Sequence, residues 1–143
     1  MSELIRTYEV PGDDLARAGE ASSRIKRILK ELGFSTDVIR RVAITTYEAE
    51  INMFIHAGGG TVTAGISPQQ VRLIFADKGP GIPDVELAMQ AGWSTAPANI
   101  RNLGFGAGMG LPNIKEYSDE LTIETEVGTG TTLTAVIFVE RRD

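Results

Sequence analysis

The chain has 143 residues, 42% hydrophobic and 23% charged, the balance of one globular domain (1–143) with its own core. Its net charge of -5, with Lys and Arg scattered along the chain, excludes nucleic acid as an expected partner, since phosphate contacts need a basic face. Cysteine is absent, which excludes a disulfide framework and a thiolate metal site.

The opening MSELIRTYEV holds no apolar run of signal length, and no stretch is long enough to span a bilayer, so a cytoplasmic location without membrane contact is expected. Ile5 to Val10 reads as a strand closed by Pro11-Gly12. Asp13 or Asp14 then N-caps a helix with Leu15, Ala18, Ile25, Ile28, Leu29 and Leu32 on its apolar stripe, ended by Gly33. Ser35 opens a second helix, whose stripe is Val38, Val42, Ala49 and Met53 and which ends near Ala57 before Gly58-Gly59-Gly60. Thr61 to Ser67 and Val71 to Ala76 read as strands joined around Pro68, the second apolar enough to be central. A short helix spans Asp84 to Ala91, and a long aperiodic stretch follows, of the kind that is either a functional lid (about 84–110) or disordered. Leu111 to Ser118 is a further helix, and Leu121 to Val127 and Thr131 to Val139 form a hairpin across Gly128-Thr129-Gly130. The expected fold is an α+β two-layer sandwich, with helices on one face of a mixed or antiparallel sheet.

Three places carry chemistry. In YEAEINMFIHA, Glu48 and Asn52 stand four apart and share a helix face bordering the core. On spacing alone a solvated Glu and a polar helix residue explain the pair better. The functional alternative is an Asn52 oxygen on a hard divalent cation such as Mg2+, with Glu48 as a general base. Glu50 faces away from Asn52 and reads as solvated or partner-facing, and the single histidine, His56, suits the C-terminal helix dipole better than a ligand contact.

In DKGPGIP, Asp77 ends a strand, where it either forms a turn or accepts a hydrogen bond from an exocyclic amine; Gly79 and Gly81 would let the backbone pass under a planar ring. In GFGAGMGLPNIK, Gly104, Gly106, Gly108 and Gly110 run into a helix with Pro112 in its first turn. Such an approach suits an anion, held by successive N–H groups and the helix dipole. Neither a Walker A motif nor a Rossmann fingerprint is present.

In this order the elements resemble the Bergerat, or GHKL, ATP-binding fold: E-x-x-x-N at Glu48–Asn52, D-x-G-x-G at Asp77–Gly81, the glycine run 104–110 after a lid, and G-T at Gly130-Thr131. Within that superfamily the chain resembles the small bacterial serine/threonine kinases of the anti-sigma-factor class. The resemblance implies ATP and ADP as ligands and Mg2+ on Asn52. It implies Glu48 as acceptor of the partner hydroxyl's proton and Arg101 as a charge stabiliser. Asp77 would read adenine with Thr131, or the adjacent Thr132, in support. Gly79, Gly81, Gly104, Gly106, Gly108, Met109 and Gly110 would line the nucleotide. The implied partner is a STAS-domain anti-anti-sigma or stressosome scaffold protein, with a sigma factor, a phosphatase or a second copy of the chain as further partners. A nucleotide-gated binding module with little phosphotransfer is the alternative function, although such a switch has no need of a base.

Overall fold

The computed structural model describes residues 3–89 and 110–139. Their strands are β1 (Leu4–Val10), β2 (Gly60–Ile66), β3 (Gln70–Asp77), β4 (Glu120–Glu126) and β5 (Gly130–Phe138). Among the described residues they form one sheet of order β1-β2-β3-β5-β4, every neighbouring pair antiparallel. The apolar run VRLIFA does lie in the central strand. Alternation sorts each strand into two faces. Val62, Ala64 and Ile66, then Val71, Leu73 and Phe75, then Leu133, Ala135 and Ile137 turn inward and are buried. Each large one contributes about 1.5–3 kcal/mol by leaving water.

The helices α1 (Glu20–Glu31), α2 (Thr36–Ala57), the single turn α3 (Val85–Ala88) and α4 (Gly110–Tyr117) accompany the sheet. Ser35 caps α2 as expected, its hydroxyl accepting from the Val38 N–H, a contact worth about 1 kcal/mol. Gly58, left-handed at φ 70°, ends it. α2 is the hub, with α1 and α4 packed against it and the sheet beneath. That crowding buries most faces of α2, including the hydroxyls of Thr45 and Thr46, which find no partner among the described residues.

The first helix departs from its expected extent. Asp14 caps only a 3-10 turn, Leu15–Arg17, by accepting from the Ala16 N–H. The chain then breaks at Ala18 and Gly19 (φ 101°) and restarts as α1. Periodicity carries an apolar stripe straight through this break, because Leu15 and Ala18 lie in phase with Ile25 and Leu29. What permits the restart is a cap from outside the segment. α1 has no side-chain cap of its own, and the Glu50 carboxylate of α2 accepts from the Ala21 and Ser22 N–H groups at 3.0 and 3.1 Å. Glu50 is therefore buried, 1% exposed, and not solvated.

Candidate nucleotide and phosphotransfer site

α2 carries one line of polar groups towards its C-terminal end. Glu48 is half-buried, and Asn113 of α4 donates to its Oε1 at 3.4 Å. Burial pushes the Glu48 carboxyl above its ordinary range, and the Asn113 hydrogen bond opposes that shift. One turn on, Asn52 meets the start of α4: a Cβ built on Gly110 would lie 2.6 Å from both Asn52 amide atoms. Gly110 and Asn113 thus face Asn52 and Glu48, two helices running antiparallel with the polar pairs in register. One further turn brings His56, half-buried, whose imidazole burial pushes below its ordinary range.

The other end is built by the sheet. The β3–β5 register sets Asp77 opposite Thr131, and the β4–β5 register sets Thr131 opposite Thr125. All three therefore share the inner face with Phe75 and Leu133, while Thr132 pairs with Ala76 on the outer face. Asp77 Oδ1 accepts from the Gly79 N–H at 2.9 Å and the Thr131 N–H at 3.2 Å. The Thr131 and Thr125 hydroxyls lie 2.8 Å apart. Among the described residues, both side-chain hydrogen bonds of Asp77 go to Oδ1, and none goes to Oδ2. A cleft of about 460 Å3 opens beside Asp77, between the end of β1 and the Gly58–Gly60 turn.

The glycines of DKGPGIP are required first by the chain itself. A Cβ on Gly79 would sit 2.6 Å from Ala57, and one on Gly81 (φ 81°) would sit 2.6 Å from the Glu126 carbonyl oxygen. The turn is stitched to the hairpin by the Gly128 N–H on the Pro80 carbonyl and by the Ile82 N–H on Thr125. This stitching holds Asp77 against the end of α2. Asn113, Thr125 and Glu50 are absent from the sequence-based site. Asn113 is 65 positions from Glu48, so only tertiary packing joins them. For Glu50 a signal existed: an acid between Ala49 and Ile51, and a helix start at Gly19-Glu20 with no Ser, Thr, Asp or Asn to cap it. Trp93, Arg101, Gly104, Gly106, Gly108 and Met109 lie outside the described residues, and Lys78 and Lys115 are exposed.

An α+β layer with a carboxylate–amide helix, an Asp at the end of a central strand and a helix opening on glycine defines the class of nucleotide-binding domains of the Bergerat type. The sequence comparisons agree: residues 13–137 match the histidine kinase-like ATPase domain, and the chain belongs to that family. It is 32% identical over 115 residues to the serine/threonine-protein kinase RsbT of Bacillus subtilis, covering 78% of this chain and 80% of that protein. It is 30% identical over 115 residues to an anti-sigma F factor of Geobacillus stearothermophilus, covering 76% and 75%. An anti-sigma F factor of Caldanaerobacter subterraneus is 31% identical over 116 residues, covering 78% of each. No helix among the described residues is long and apolar enough to cross a membrane.

Proposed function

We propose that the chain is a cytoplasmic, single-domain, ATP-dependent serine/threonine protein kinase of the anti-sigma-factor type, acting on a hydroxyl of a STAS-domain protein. The observation that carries this reading is Glu48. It is a half-buried carboxylate, oriented by Asn113, on the same helix as an amide against which α4 begins. A module that only bound nucleotide would have no use for a desolvated base at that end.

The site has the right reach. Ala57, where the Asp77 loop packs, stands nine positions after Glu48, which is about 13 Å along a helix. An extended nucleoside triphosphate spans a comparable length, with adenine at Asp77 and the γ-phosphate near Glu48. Asp77 Oδ2 accepts from the adenine amine while the Gly79 and Thr131 N–H groups hold Oδ1. Thr131, locked to Thr125, backs that end through its hydroxyl. Gly110 opens the phosphate-side helix; for Gly104, Gly106, Gly108, Met109 and Arg101 the family membership supports nucleotide binding, with Arg101 as the charge stabiliser.

The residues present fit Mg2+. Among the described residues no cluster of three or more His, Asp or Glu could cage a metal. Magnesium keeps waters and takes substrate phosphates, so the Asn52 amide oxygen is an adequate protein ligand. When bound, the ion neutralises charge on the β- and γ-phosphates. Glu48 accepts the proton of the partner's serine or threonine hydroxyl as that oxygen bonds to the γ-phosphorus and the bond to ADP breaks. Such chemistry is mostly positioning and charge stabilisation. The relatives named as anti-sigma factors support a sigma factor as a second partner. The test is the intact mass of a STAS-domain protein from the same genome after incubation with the chain and Mg-ATP. One added phosphate per partner is expected, and its absence alongside tight ATP-dependent binding would leave only the binding module.

A further inference from the structure

Glu50 is used by nothing in the reading above, yet it is one of the largest fully buried side chains. A carboxylate in the interior is costly unless its oxygens are matched. Here the match is specific. Counted from Gly19 as the N-cap, Ala21 and Ser22 hold the second and third helical positions, whose N–H groups an ordinary cap side chain would take. Glu50 takes both from 28 and 29 residues away. The positive end of the α1 dipole faces the same carboxylate. Burial pushes the Glu50 carboxyl up, and the Ala21, Ser22 and Gly19 amides oppose that; the charged neighbour acting on it is Glu20, itself paired with Arg17.

A second tether runs beside the first, the Ser22 hydroxyl donating to the Ala43 carbonyl at 2.9 Å. The two anchors, Ala43 and Glu50, bracket the stretch of α2 that contains Glu48. Between the α1 start and that stretch lies a groove of about 720 Å3. Its walls are mostly small residues such as Ala18, Gly19 and Ala43, with Tyr47 and Glu48 on the α2 side. The Tyr47 ring packs on Gly19, where a Cβ would lie 3.2 Å from it. The start of α1 is thus the wall that faces Glu48 across this groove, and its position sets how wide the groove stands beside the carboxylate.

We infer that Glu50 is a positioning residue for Glu48: as the N-cap that α1 lacks, it fixes the first turn of α1 against α2 and builds the wall beside the Glu48 carboxylate. The inference rests on Glu48 being the proton acceptor, and its test separates the two claims. Glu50→Gln keeps the size of the side chain but turns an NH2 towards an N–H. Ser22→Ala cuts the other tether without changing charge. The readout is the carboxyl 13C titration of Glu48 in each full-length variant, assigned by its loss in Glu48→Gln, together with amide exchange over residues 20–23. Both variants are expected to speed that exchange, Glu50→Gln by about tenfold for a lost cap. In both, the Glu48 midpoint falls towards the ordinary glutamate value as water enters. In the transfer assay Glu50→Gln lowers kcat about tenfold with KM for ATP unchanged, the split expected of a misplaced base. A Glu48 midpoint that stays put while exchange quickens makes Glu50 merely structural and overturns the inference. So does a shift in Glu50→Gln alone, which would report direct charge. Should Glu50→Gln not fold, Ser22→Ala decides by the same criterion. A parent protein that transfers no phosphate refutes the kinase reading instead, without touching the titration result.

Discussion

Gly110→Ala isolates the Gly110–Asn52 contact on which the proposed phosphate end of the site depends. Gly110 is absent from the positive-φ glycines, so its backbone accepts a side chain without strain. What opposes the methyl is the Asn52 amide, both of whose terminal atoms would lie 2.6 Å from the new carbon. Ordinary contact begins near 3.5 Å, so Asn52 or the α4 start must move by about 1 Å. A misplacement of that size costs about 100-fold in a reaction that depends on positioning. Alanine is the better helix former by at most about 1 kcal/mol, which offsets part of the cost of the crowded contact, about 1–3 kcal/mol. The expected result is a folded protein with a thermal midpoint at or slightly below that of the parent, and with Mg-dependent ATP affinity and transfer rate both sharply reduced. Calorimetric ATP titrations with Mg2+ and with EDTA, followed by single-turnover transfer, read it out. A Gly110→Ala protein that binds Mg-ATP and transfers phosphate like the parent would remove Asn52 from the site.

Asp77→Asn keeps an oxygen for the Gly79 and Thr131 N–H groups and turns its NH2 outward, donor against donor with the adenine amine. ATP affinity should fall about 100-fold with the fold intact, since an unmatched buried donor costs about 1–3 kcal/mol; fluorescent-ADP displacement measures it, and unchanged affinity would move adenine elsewhere. Gly81→Ala should destabilise by about 1 kcal/mol or more in urea unfolding, because φ 81° and the Glu126 carbonyl both oppose a Cβ. Thr46→Val replaces a buried hydroxyl that has no partner among the described residues with a methyl of similar shape and should stabilise by about 1 kcal/mol; a loss of stability would reveal a partner for that hydroxyl. The Glu48 carboxyl is raised in the fold, so its stabilising contribution is present below its unfolded pKa and is lost as pH rises through the folded one. Glu48→Gln should therefore melt higher than the parent at pH 7, with the gap closing in acid, and scans from pH 4 to 8 check the sign.

Most element boundaries were legible, because their signals are local. Ser35 and Gly58 delimit α2, and the apolar run through Phe75 marks the central strand. The break before α1 was not legible, because its cap comes from Glu50 on another helix. For the same reason Glu50 itself was misread: periodicity tells which residues of α2 share a face, but not that α1 and α4 cover nearly all of its faces. The Glu48–Asn52 and Asp77–Gly81 motifs were legible as candidates from spacing and order. What places Asp77 beside Thr131 and not Thr132 is a strand register, and a register is decided by pairing across 54 residues. Gly79 and Gly81 were assigned to a ligand, while their described neighbours are Ala57 and Glu126; a sequence shows that a side chain is missing but not what fills its space.

Single-turnover phosphoryl transfer to the STAS-domain partner as a function of pH, comparing the parent with Glu48→Gln, tests the central claim most directly. The parent rate should rise from acid through a midpoint above the ordinary glutamate value of about 4.3. Glu48→Gln should lose that limb and run about 100-fold or more slower, with ATP affinity unchanged. A Glu48→Gln protein that transfers phosphate at the parent rate and with the parent pH profile would contradict the account.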